Sequence, residues 1–146
     1  LSKSYGIPGL RLGYAASSNM EIITNLRKDI PIWSINSLAQ FFLEEIGNYH
    51  KEFLQSCVDV QFATESLYTD LTSIPYLHAY PSEGNFVLCR ILADFTASDL
   101  TDKLFSKSGM LINDCSRKKG IDGHFVRIAS RTREENMELV QALKTI

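Results

Sequence analysis

The sequence predicts an α+β fold, with a compact unit of strands and helices over residues 75–146 preceded by a largely helical stretch. Two observations carry this. Before Pro75 the apolar residues recur every three or four positions, and after it short apolar runs bounded by turn residues alternate with helical patterns. Of the 146 residues 45% are hydrophobic and 22% charged, close to the globular average, so a packed core is expected.

The elements follow in order. A glycine-rich opening leads into Leu10-Arg11-Leu12-Gly13-Tyr14-Ala15-Ala16, which reads as a short strand ending at a polar turn. Asn19 is placed to cap a helix from Met20 to about Lys28, with Ile22, Ile23 and Leu26 on one side, and Pro31 interrupts it. From Ser37 the helical period is long. Leu38, Phe41, Phe42 and Ile46 carry it first, then Phe53, Cys57, Val60, Thr64 and Leu67, with a break at Gly47-Asn48. A Pro-Ser-Glu-Gly turn precedes Asn85-Phe86-Val87-Leu88-Cys89-Arg90-Ile91, a buried strand. A helix over 98–106 uses Leu100, Leu104 and Phe105 and stops at Gly109. Met110-Leu111-Ile112 and His124-Phe125-Val126-Arg127-Ile128-Ala129 read as further strands. Thr132 and Glu135 form a capping box before a last helix that turns Leu139, Val140 and Leu143 inward.

Composition narrows the function. The net charge is -2, and Arg117-Lys118-Lys119, the densest basic run, suits a solvated loop better than a nucleic-acid stripe. No apolar run approaches the roughly 20 residues that span a membrane. Cys57, Cys89 and Cys115 are widely separated, and reduced thiols in a cytoplasmic protein are expected. His50, His78 and His124 have no partner at metal-ligand spacing, so no metal site is expected. Glu44-Glu45 suits a solvated helix face, and nothing near Cys115 marks a nucleophile.

One segment carries chemistry. Lys3 opens Lys3-Ser4-Tyr5-Gly6-Ile7-Pro8-Gly9-Leu10-Arg11-Leu12-Gly13-Tyr14, with Arg11 eight residues on. A primary amine can bind a carbonyl covalently and then move a proton, a guanidinium can hold a phosphate, and glycines let backbone approach a ligand closely. Without the glycines, an exposed lysine and a surface arginine would be the plain alternative. The glycines run Gly-x-x-Gly-x-x-x-Gly behind the lysine, which is not the dinucleotide pattern.

This segment resembles the cofactor-lysine motif of fold-type I aminotransferases, enzymes that depend on pyridoxal 5'-phosphate. The resemblance implies that Lys3 is the Schiff-base lysine and catalytic residue, and that Arg11 binds the cofactor's phosphate. A second segment, Phe125-Val126-Arg127-Ile128-Ala129-Ser130-Arg131-Thr132 with Glu134-Glu135-Asn136, resembles the histidinol-phosphate aminotransferase and threonine-phosphate decarboxylase branch. That implies Arg127 as the residue binding the substrate's α-carboxylate; pairing with a surface acid is its alternative. Arg131 stays open between a second anionic group on the substrate and an ion pair with Glu134 or Glu135. Pro31-Ile32-Trp33-Ser34-Ile35-Asn36-Ser37-Leu38-Ala39 resembles the segment joining large and small domains in that branch. Together with Pro81-Ser82-Glu83-Gly84-Asn85-Phe86 it is similar to aminotransferase modules fused to a sugar- or choline-phosphate nucleotidyltransferase.

The resemblance implies the C-terminal part of a PLP-transferase fold, of α/β class with an α+β small domain. Residues 1–18 would end the large cofactor-binding domain, 19–74 would be connecting helices, and 75–146 the complete small domain. It implies a cytoplasmic homodimer acting on an amino acid and a keto acid, with a decarboxylase of a phosphorylated amino acid as the alternative. A non-catalytic fragment with a dimerisation or interaction role is the reading from another class. With most of the large domain placed before Leu1, this polypeptide alone is expected to bind cofactor weakly and turn nothing over.

Overall fold

A computed structural model describes residues 1–146. The chain divides into two compact units, Leu1–Gln55 and Ser56–Ile146, the divide falling within one long helix.

The first unit opens with a 3₁₀ turn, Pro8–Leu10, followed by two helices, α1 (Met20–Asp29) and α2 (Ser37–Glu45). Asn19 caps α1 as expected, its side-chain oxygen accepting from the Glu21 and Ile22 amides. Asn36 caps α2 in the same way, accepting from Ala39 N at 2.9 Å. The anticipated strand over 10–16 is not there. Arg11 has φ 51°, a left-handed backbone that breaks extended geometry. The carbonyls on either side of it are also taken: Leu10 O accepts from Asn36 Nδ2 at 2.9 Å and Leu12 O from the Leu1 nitrogen at 2.8 Å. A 3₁₀ segment, Ile46–Tyr49, stands at the expected Gly47-Asn48 break and leads into α3 (His50–Thr72).

The second unit is an antiparallel sheet with helices on one face. Its strands are β1 (Leu77–Ala79), β2 (Phe86–Ile91), β3 (Asn113–Asp114) and β4 (Phe125–Ala129), in the order β1-β2-β4-β3. Two helices complete it, α4 (Ala97–Ser108) and α5 (Arg133–Lys144). Alternation decides the faces. Val87, Cys89, Ile91, Val126 and Ile128 point inward and pack with Leu67 and Leu71 of α3, Leu100 and Leu104 of α4, and Val140 and Leu143 of α5. Both helix starts after the sheet carry capping boxes, Thr96 with Asp99 and Thr132 with Glu135. Gly109, at φ 69°, ends α4 with a left-handed cap.

Two strands differ from expectation. The run 110–112 is not a strand; pairing with β4 begins one residue later, at Asn113↔Arg127. Ile112 is buried without joining the ladder, so its apolar character reflects packing and not pairing. β1 arises between Pro75 and Pro81 and pairs Leu77↔Ile91 and Ala79↔Cys89 with β2. On α3 the helical period holds, but only Thr64, Leu67 and Leu71 are buried, whereas Cys57 and Val60 are exposed.

Candidate functional site

The lysine segment folds as a closed loop. The Leu1 nitrogen donates to Leu12 O at 2.8 Å, and the Tyr5 amide donates to Leu1 O at 3.1 Å. Gly6 sits at φ 65°, a backbone that side-chain-bearing residues resist, so glycine suits this corner. Tyr5 anchors the loop within the first unit, stacked on Phe53 at 4.3 Å between ring centroids and edge-on to Phe42 at 5.6 Å. Asn36 holds the other side, donating to Leu10 O while its oxygen caps α2. One amide thus ties the loop to a helix start.

Lys3 and Arg11 both ride on this loop and both are exposed. The Lys3 amine makes no hydrogen bond and no ion pair. Arg11 uses one N–H, from Nη1, on Pro8 O at 3.1 Å, which leaves most of its five donors free. A methyl group added at Gly6, Gly9 or Gly13 would meet nothing within 4 Å, so the loop's glycines face open space. Arg11 also borders an open groove of about 560 Å³, shared with Tyr14, Leu26, Ile30 and Ile35. A primary amine, a guanidinium with spare donors and unobstructed backbone are a donor set that fits an aldehyde bearing a phosphate.

Arg127 belongs to the second unit. It projects from β4 onto the face of the sheet that carries no helix, opposite Leu88 on one side and Asn113 on the other. Its guanidinium lies over the Phe86 ring, 5.0 Å from the centroid. It forms no ion pair, in contrast to the other two arginines nearby. Arg90 reaches Asp122 at 3.6 Å, and Arg131 reaches Glu135 at 2.9 Å.

For Arg131 the structure shows the ion pair. The hydrogen bond to Arg131 holds the Glu135 carboxyl below the usual range, assisted by the Thr132 amide. The same contact raises the Arg131 pKa. Arg131 lines a groove of about 670 Å³ between α3 and α5, with Phe62, Asp70, Met137 and Lys144. Beneath it lies Asn136, a residue the sequence did not single out for this role. Only 5% exposed, its amide accepts from Arg131 N at 2.9 Å and donates to Arg131 O and Ser130 Oγ. The signal available was an amide side chain on the inward side of an amphipathic helix, in step with Val140 and Leu143. No group of side chains suits a metal ion, and no helix is long and apolar enough to cross a membrane.

Comparison with known proteins settles the family. The model for "Aminotransferase class I and II" matches residues 1–143. The chain belongs to that family. A CMP-5'-(3-aminopropyl)phosphonate synthase from Streptomyces rubellomurinus is 35% identical over 100% of this chain and 23% of its own length. An adenosylcobalamin biosynthesis bifunctional protein from Leptospira interrogans is 32% identical over 100% of this chain and 17% of its own. Among solved structures, the L-threonine-O-3-phosphate decarboxylase of Porphyromonas gingivalis superposes with a TM-score of 0.81 at 29% identity, covering 99% of this chain and 44% of that one. The histidinol-phosphate aminotransferase of Clostridium acetobutylicum gives 0.85 at 27% identity, covering 97% and 42%. The chain therefore spans less than half the length of each, and its fold is that of a portion of a PLP-transferase.

Proposed function

We propose that the chain is the C-terminal part of a pyridoxal-phosphate-dependent enzyme that moves an amino group between an amino acid and a keto acid. The observation that carries the reading is Lys3, an amine with no partner, on the same closed loop as the Arg11 guanidinium. Bound there, pyridoxal phosphate supplies an electron sink that weakens the bonds at a substrate's α-carbon. Lys3 would hold the cofactor covalently through Nζ and, when freed by substrate, carry a proton to and from that carbon. Arg11 would donate to phosphate oxygens with the N–H groups that Pro8 leaves unused. Arg127, with no carboxylate partner of its own, would receive the substrate's α-carboxylate with paired donors, fixing which α-carbon bond is labile.

On this reading residues 1–18 close the large domain, 19–74 are connecting helices and 75–146 are the small domain of a homodimeric enzyme. The bifunctional Leptospira protein supports a fused second domain in the full-length protein, and a nucleotidyltransferase is the partner we propose. A second reading, decarboxylation of a phosphorylated amino acid, is favoured by the likeness to the Porphyromonas decarboxylase. The same lysine and arginines serve both reactions, so the products decide. Full-length protein is incubated with pyridoxal phosphate and a panel of amino acids and phosphoamino acids, with and without 2-oxoglutarate. Keto acid formed beyond one equivalent per cofactor only when the acceptor is present supports amino transfer. Carbon dioxide released without it establishes the second reading, and neither product from any substrate overturns both.

A further inference from the structure

The face of the sheet that carries no helix holds two arginine–phenylalanine pairs. Arg90 lies over Phe125 at 5.7 Å and Arg127 over Phe86 at 5.0 Å. They differ in what else holds them. Arg90 is committed to Asp122 at 3.6 Å, whereas Arg127 has the ring and no acid. An arginine of four rotatable bonds on an open face samples many rotamers unless something pins it, and ordering it at the moment of binding costs affinity. An aromatic face pins the guanidinium plane without occupying its in-plane N–H donors.

The local backbone makes room for this stack. Phe86 is diagonal to Arg127 across the β2–β4 ladder, which pairs Leu88↔Arg127 and Phe86↔Ala129. The ring leans back over Gly84, where an added methyl would stand 3.2 Å from Phe86 Cε1 and 3.5 Å from Cδ1. Ser82 Oγ accepts from the Gly84 amide at 3.2 Å and fixes that turn. Gly84 leaves the space, Phe86 fills it, and Arg127 lies on Phe86.

We infer that Phe86 is a positioning residue for Arg127, presenting its guanidinium edge to the carboxylate of an amino-acid substrate. The inference rests on the role proposed above for Arg127. It requires that Phe86 act on carboxylate-bearing ligands and leave ligands without that group alone.

The test uses the cofactor-free full-length protein, in which no turnover occurs, and calorimetric binding of two probes, O-phospho-L-serine and O-phosphoethanolamine. They differ only in the α-carboxylate. Wild-type protein prefers phosphoserine. Phe86→Leu, which keeps an apolar side chain but removes the ring, lowers that preference about two- to five-fold through weaker phosphoserine binding alone. Phe86→Tyr, which keeps the ring, restores it. Equal weakening of both probes in Phe86→Leu, or an unchanged preference while Arg127→Ala abolishes it, overturns the inference and leaves the role of Arg127 standing. A wild-type protein with no preference, or Arg127→Ala that keeps it, overturns the inference together with that role.

Discussion

Asn136 bonds to both backbone groups of Arg131 in the turn that joins β4 to α5, and its removal is the most telling perturbation of that turn. The Asn136→Ala variant leaves three groups without their partner: Arg131 N at 2.9 Å, Arg131 O at 3.2 Å and Ser130 Oγ at 3.4 Å. Leaving buried backbone groups unpaired costs about 1–3 kcal/mol. Arg131 itself is exposed, so water can reach part of the vacated site, and the middle of that range, ~2 kcal/mol, is the expected loss. With a urea dependence of about 2 kcal/mol per molar, the unfolding midpoint should fall by roughly 1 M with little change in slope. Ser130→Ala removes only the longest of the three contacts and should stay within about 0.5 kcal/mol of wild type. Far-UV circular dichroism against urea gives both numbers. Equal midpoints for Asn136→Ala and wild type would show that the amide is not what fixes this turn, and the reasoning from buried hydrogen bonds would fail there.

Other outcomes follow from the same structure. Leu104→Ala, at a position with no solvent exposure, should cost about 2–5 kcal/mol; a loss under 1 kcal/mol would contradict the packing described. In the 146-residue chain a thiol reagent should label Cys57 at once and reach Cys89 and Cys115 only on unfolding; rapid labelling of a second thiol would contradict their burial. Stability should decline at alkaline pH. Burial pushes Cys89 from 9.0 and Tyr76 from 10.0 up to about 12. Both raised values favour the protonated form in the folded state, so their contribution is complete below pH 9 and is lost as pH rises towards 12. Tyr76→Phe, which also gives up the hydrogen bond to Leu143 O, should flatten the upper part of that decline, and urea midpoints that are level from pH 8 to 11 would refute it.

Much of the second unit was legible because its signals are local. Thr132 and Glu135 announce a helix start through the bonds they make with each other, and Gly109 announces an end through a left-handed backbone. What failed was non-local. Leu10 to Ala16 has the residues of a strand, yet a strand is a relation to a neighbour, and here side chain and backbone donors elsewhere take its carbonyls. Ile112 was read as paired when it is only packed, and β1 was too short between two prolines to register. The helical period grouped Cys57 and Val60 with Thr64 and Leu67, yet only the latter two are buried, because periodicity shows an apolar face without saying what covers it.

The candidate site divides the same way. Lys3, Arg11 and Arg127 were chosen by motif, and the structure adds what motif cannot hold: Tyr5 and Asn36 fixing the loop, and Phe86 beneath Arg127. Those supports are contacts across 26 residues in one case and across two strands in another, distances at which spacing along the chain carries no signal.

Attachment of the cofactor to Lys3 is the proposal on which the other site roles depend. Full-length protein is incubated with pyridoxal phosphate, reduced with borohydride, digested, and its peptides weighed, in parallel with a Lys3→Ala variant. One phosphopyridoxyl group is expected, on the peptide that contains Lys3, and none in the variant. A group found on another lysine, or retained in Lys3→Ala at the wild-type level, would contradict it.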